Sequence, residues 1–285
     1  MFERFSNGFE LARQSWHVLK ADKHLLVFPL LSGICCLLVM ASFAIPLFLA
    51  GGADLGMDDL ERAQDPMENP LYLAVLFTFY FVNYFVIVFF NSALIACAVK
   101  SFYGERPTIG EGISASMARL PQIAGWALVS ATVGLVLRVI ENQSEKFGAI
   151  VSGLLGMAWT AVTYFVVPVL VIEKAGPIEA VKRSGAILKS SWGEAVGAKG
   201  GIGFFCFLAM LPCIALIIGG GVLMSQSAVL GIALLAFGVI GLLIVSLVSS
   251  ALSAIVQAAI YMYGSSGSAP RGFEASNLRG AFAAR

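Results

Sequence analysis

Six stretches of this chain are each long and apolar enough to cross a bilayer, which leaves few folds open to it. A spanning helix needs about 20 mostly apolar residues to cross a hydrocarbon core of about 30 Å. The stretches run from Leu25 to Leu49, Leu71 to Val99, Gln122 to Ile140, Phe147 to Ile172, Gly200 to Met224 and Val229 to Tyr263. None shows the period-two alternation of a barrel strand. The chain is 59% hydrophobic and 12% charged, where a soluble domain carries about 25% charged residues. Folded in water, it would expose large apolar patches. The first stretch begins only after a patterned N-terminal segment and is full-length, so it reads as a retained helix rather than a cleaved signal.

The cations partition between the two sides. Arg4, Arg13, Lys20 and Lys23 precede the first span, Lys100, Arg106 and Arg119 follow the second, and Lys174, Lys182, Arg183, Lys189 and Lys199 follow the fourth. Arg271, Arg279 and Arg285 end the chain, and of the 18 Lys and Arg only Arg62, Arg138 and Lys146 fall on the other side. Cations concentrate on the cytoplasmic side of membrane proteins, so both termini are expected there. The expected fold is all-α, a polytopic membrane protein with one integral domain over residues 1–285. Its six spans pair as three hairpins, each preceded by a cytoplasmic amphipathic helix, and residues 265–285 form a flexible tail.

A shared register supports three repeats, at about residues 1–100, 101–173 and 174–264. Glu10, Ser15 and Leu19 have the spacing of Glu111, Ser116 and Leu120, and of Glu179, Ser184 and Leu188. In the first copy Phe5, Phe9, Ala12, Trp16 and Leu19 recur at helical spacing and read as one apolar stripe, with Arg4, Arg13 and Lys20 beside it. Ile178, Val181, Gly185, Leu188 and Trp192 repeat the stripe; Ile113, Met117 and Leu120 form a shorter version between Pro107 and Pro121. The shared positions are assigned to the membrane-facing side of these helices. Basic amphipathic helices of this kind lie in the headgroup plane. Arg13, Lys20, Lys182, Arg183 and Lys189 are therefore the expected contacts for anionic lipids of the cytoplasmic leaflet.

Few polar groups enter the spans. Arg138 and Glu141 are spaced i, i+3 at the outer end of the third span and can pair, with Arg138 reaching toward the interface. Asn83 and Asn91 in the second span and Gln257 in the sixth carry amides, which in spans more often bond between helices than bind substrate. Together these five are the candidate lipid or substrate contacts. Ser246, Ser250, Ala254 and Ala258 form a small-residue face in the sixth span. Pro168 and Pro212 are expected to kink their helices. Asp54, Asp58, Asp59, Glu61, Asp65 and Glu68 form an acidic outer loop without the spacing of a calcium loop.

No catalytic, cofactor or metal site is expected. Phosphate-binding, dinucleotide, nucleophile-elbow and zinc-protease motifs are missing. The five cysteines lie in apolar stretches, without the spacing of a zinc site, and read as core fillers. A net charge of +1 supplies no field for nucleic acid.

The segment Tyr164–Trp192, YFVVPVLVIEKAGPIEAVKRSGAILKSSW, resembles a recurrent segment of bacterial six-helix membrane proteins of unknown function, the DUF6159 family. The opening FSNGFELARQSWHVLKADKHLLVFPLLSG is similar to the start of the same family. The resemblance implies the bacterial inner membrane and brings no catalytic residues. The plan is also similar to the membrane domain attached to some glycerophosphodiester phosphodiesterases, but no phosphodiesterase domain is seen here and that activity does not transfer. The expected function is that of a non-enzymatic scaffold or assembly subunit, partnered by a membrane protein or a second copy. The alternative is a transporter or lipid-handling protein with a cavity between hairpins.

Overall fold

The computed structural model describes residues 2–52, 70–142, 147–225 and 227–274. Among them every regular element is helical. Helix α1 spans Phe2–Ala21 and passes through a 3-10 turn, Lys23–Leu26, into α2, Val27–Gly52. Then follow α3 (Pro70–Phe102), α4 (Ile109–Met117), α5 (Leu120–Asn142), α6 (Phe147–Val162), α7 (Val166–Ile172), α8 (Pro177–Leu223) and α9 (Ala228–Ser266). Backbone groups in hydrocarbon have no water to bond, so helices satisfy them internally. Pro70 and Pro177 open α3 and α8, where a missing N–H costs nothing. Gly267, at φ 70°, closes α9 in the left-handed conformation and donates its N–H to Tyr263 O at 2.9 Å.

Six helical segments have the length and hydropathy to cross a membrane: Lys23–Pro46, Pro70–Phe102, Leu120–Asn142, Gly148–Ile172, Ile202–Leu223 and Ala228–Ser266. Each coincides with one of the stretches read from sequence. The third copy of the interfacial helix is not a separate element, because α8 runs unbroken from Pro177 through span five. The acidic loop of residues 54–68 lies outside the described residues.

Chain contacts form two compact units. Unit 1 comprises Met1–Pro29, Leu94–Ile109 and Ile187–Arg285; unit 2 comprises Leu30–Ala93 and Gly110–Ala186.

In unit 1, α1 packs on α9. Leu11, Val18 and Leu19 of α1 are buried, as are Leu252, Ile255, Ile260 and Tyr261 of α9. The segments of α8 around Cys213 and of α9 around Gly238 approach closely through glycine. A Cβ on Gly238 would stand 2.8 Å from Cys213 O and 2.5 Å from Ile217 Cγ1. Small residues bring membrane helices close enough for dispersion to hold them. The segment after α9, expected as a flexible tail, packs as far as Glu274. Phe273 is buried, its ring edge-on to Phe102 at 5.6 Å, and Glu274 N–H donates to Gln14 Oε1 at 3.4 Å.

In unit 2, α5 packs on α6, and Trp126 stacks on Trp159 with ring centroids 5.7 Å apart. Phe43 of α2 meets Phe79 of α3 edge-on at 5.5 Å. Span four breaks just before Pro168, which lies in the first turn of α7, and three residues, Thr163–Phe165, separate α6 from α7. Helix α8, by contrast, continues through Pro212.

Burial is uneven along the spans. It gathers near their basic ends, at Leu94, Ile95 and Ala98 of α3, at Phe165, Val166, Val169 and Leu170 around α7, and at Ala251–Tyr261 of α9. The spans elsewhere show bare apolar side chains, such as Leu38 at 64% and Phe237 at 69% exposure. Hydrocarbon solvates such surfaces as well as a protein neighbour would, so they need no cover.

The register serines correct the sequence reading. Ser15, Ser116 and Ser184 are 0%, 1% and 0% exposed, so this shared position faces the protein and not the membrane. Residues Leu11, Gly112 and Ala180, one turn earlier, are buried as well. Ser116 Oγ donates to Phe89 O at 2.9 Å. Ser184 Oγ donates to Val162 O at 2.6 Å and accepts the Phe165 N–H at 2.9 Å. Those are the groups that the break in span four releases, since Val166 N–H turns to Thr163 O and Tyr164 N–H to Ala161 O. Ser15 Oγ has no hydrogen-bond partner among the described residues.

Candidate functional site: a basic and aromatic stripe beside an apolar groove

The two faces of α1 do different things. Positions 11, 12, 15, 18 and 19 form its buried face. Phe9, Arg13, Trp16 and Lys20, at i, i+4, i+7 and i+11, form a second, exposed face. The single stripe read from sequence therefore divides, with Ala12 and Leu19 inside and Phe9 and Trp16 outside. Side chains of Phe5 and Trp192 lie outside the described residues.

The exposed face alternates aromatic and cation. Lys20 Nζ sits 5.3 Å from the Trp16 ring centroid, a distance at which the ring face attracts a cation. Arg13 Nη1 lies 3.9 Å from Glu10 Oε2 with both groups open to solvent, a pair worth little. Phe9 meets Phe205 of α8 edge-on at 6.3 Å.

Beside this face unit 1 has a groove of about 410 Å³. Phe9, Arg13 and Trp16 line its end on α1, Ile202, Phe205 and Ala209 line it on α8, and Ile244, Val248 and Leu252 on α9. Among the described residues Arg13 is its one charged lining residue. A second cavity of about 730 Å³ follows at the end of α1, lined by Lys20, Lys23, His24 and Arg106. Its one carboxylate among the described residues, Asp22, accepts a hydrogen bond from the Ser101 hydroxyl. Sequence reading named Arg13 and Lys20 but missed Lys23, His24 and Arg106, which meet only because the loop after α3 returns to the end of α1.

The other candidates disperse. In unit 2 Arg138 Nη1 donates to Glu141 Oε2 at 2.9 Å, both side chains close to half exposed. Asn83 Nδ2 donates to Phe79 O of its own helix at 2.9 Å rather than to a neighbouring one. Asn91 and Gln257 are half-buried. Arg183 Nε pairs with Glu173 Oε1 at 3.2 Å, while Lys182 and Lys189 are exposed on α8. Among the described residues no three His, Cys, Asp or Glu side chains converge to hold a metal.

Among the described residues the groove lining holds no nucleophile paired with a base; it is an apolar surface with Arg13 at its α1 end. No curated protein and no solved structure matches the chain. The model of DUF6159, a family of unknown function, matches residues 70–272, most of the described spans, and the chain belongs to that family.

Proposed function

We propose that this protein is a non-enzymatic component of the bacterial inner membrane, with both termini cytoplasmic, whose three hairpins carry interfacial helices that contact lipid. The observation behind this reading is the division of α1 into a buried face and an exposed face of Phe9, Arg13, Trp16 and Lys20. Aromatic rings and cations are the side chains that settle at the headgroup level. The shared burial of Ser15, Ser116 and Ser184 supports a threefold internal repeat in which each interfacial helix is keyed to the bundle. The bare apolar spans suit docking with a membrane-protein partner or a second copy, as in a scaffold or assembly subunit.

Extraction into native nanodiscs, followed by affinity capture, tests the reading. A reproducible membrane-protein partner or a homo-oligomer supports it, and a partner-free monomer overturns the scaffold role. The groove in unit 1 favours the second reading, a lipid-handling protein, for which lipid co-purifying with that monomer is the signature.

A further inference from the structure

We propose that unit 1 holds a seat for one anionic phospholipid, with an acyl chain in the groove between α8 and α9 and the phosphate between Arg13 and Lys20. This rests on the reading that α1 lies at the headgroup level. The stripe from Phe9 to Lys20 extends about 16 Å along the helix, and its two cations flank Trp16 on one face. Arg13 and Trp16 belong to the groove wall, while Lys20 stands on the Trp16 ring and lines the basic cavity beyond. An occupant therefore meets apolar walls first and cations at one end only.

That distribution of charge selects the occupant. A partner helix would bring apolar side chains along its whole length and leave the cations unmatched. A soluble anion would have no use for Phe205, Ala209 and Val248. A phospholipid has both parts in the same order. The groove volume lies in the range that holds a small ligand, about 300–1,000 Å³. Lys23 and Arg106 add positive potential beside Lys20, while Asp22 is engaged by Ser101 and Glu10, 3.9 Å from Arg13, forms only an exposed pair worth little. The seat thus discriminates by net headgroup charge.

The full chain, delipidated in detergent, is titrated with phosphatidylglycerol and with phosphatidylcholine and read by native mass spectrometry. Each cation near the membrane surface contributes about a fivefold change in affinity. Arg13→Gln with Lys20→Gln should weaken phosphatidylglycerol binding roughly 25-fold and phosphatidylcholine binding by less, because the choline cation offsets the charge of the phosphate that the two lipids share. Ala209→Phe, which fills the groove, should weaken both lipids. Arg13→Lys with Lys20→Arg keeps the charge and should keep the preference, which separates loss of the seat from loss of the fold. The proposal falls if the wild-type protein holds the two lipids equally, if the double Gln variant retains its phosphatidylglycerol, or if Ala209→Phe changes neither. A reporter placing the N-terminus outside the cell would overturn the cytoplasmic placement of α1 by itself, whatever the lipid titration shows.

Discussion

The Ser184 hydroxyl accepts a hydrogen bond from the Phe165 backbone N–H at 2.9 Å, joining residues 19 apart in the chain. Through the same oxygen it donates to Val162 O. One side chain on α8 thereby closes the gap that precedes Pro168 in span four.

Removal of the three register serines should rank by what each leaves behind. Ser184→Ala strands the buried Phe165 N–H, at about 1–3 kcal/mol, and leaves the part-buried Val162 carbonyl without that bond. Ser116→Ala loses one bond to a carbonyl that α3 already engages, at about 1 kcal/mol. Ser15→Ala removes a hydroxyl without a partner among the described residues and should be neutral or mildly stabilising. Melting temperatures of the three variants in one detergent check the order, and a Ser15→Ala loss as large as that of Ser184→Ala would contradict it.

Glycine at the contact of α8 and α9 should be far less replaceable than glycine nearby. A methyl on Gly238 meets the backbone oxygen of Cys213 at 2.8 Å, whereas one on Gly219 meets nothing within 4 Å. Gly238→Ala should lower the melting temperature and speed proteolysis of unit 1. Gly219→Ala should hold or raise it, since alanine favours the helix by about 1 kcal/mol over glycine.

The Trp126–Trp159 stack should register as a coupling. A double-mutant cycle through Trp126→Leu and Trp159→Leu should give about 0.5–1.5 kcal/mol beyond the separate losses. Near-ultraviolet circular dichroism should lose the same signal in either single variant, because the stacked pair produces it jointly.

Arg138 and Glu141 should matter little to stability despite their 2.9 Å contact. Both are near half exposed, and such pairs contribute about 0–1 kcal/mol. Glu141→Gln should shift the melting temperature by no more than a degree or two, roughly the scale that this energy implies for a chain of this size.

The positions of the spans were legible because span length and charge partition both follow from the bilayer. Leu71, Gln122 and Ile172 fall within a few residues of the observed span ends. The break at Pro168 was half legible. Proline reports a lost hydrogen bond, but only the fold shows that Ser184 supplies the replacement. Which face of α1 packs was not legible. In water an apolar stripe points to the core, yet beside a membrane both the core and the lipid are apolar, so hydrophobic periodicity merges Ala12 with Phe9. The more informative residue was the small polar one. Ser15, Ser116 and Ser184 mark the protein side because a hydroxyl is better placed against backbone than against hydrocarbon. The groove escaped sequence reading because its walls come from three helices far apart in the chain.

The break in span four also sets an order of events during synthesis. When residues 162–165 leave the ribosome and enter the bilayer, the oxygen that will complete their hydrogen bonding belongs to a residue 19 positions behind Phe165. Span four is thus synthesised before the hydroxyl that satisfies its break. Its maturation waits for the start of α8, so a chain cut short before Ser184 would hold a defective fourth span exposed to membrane quality control.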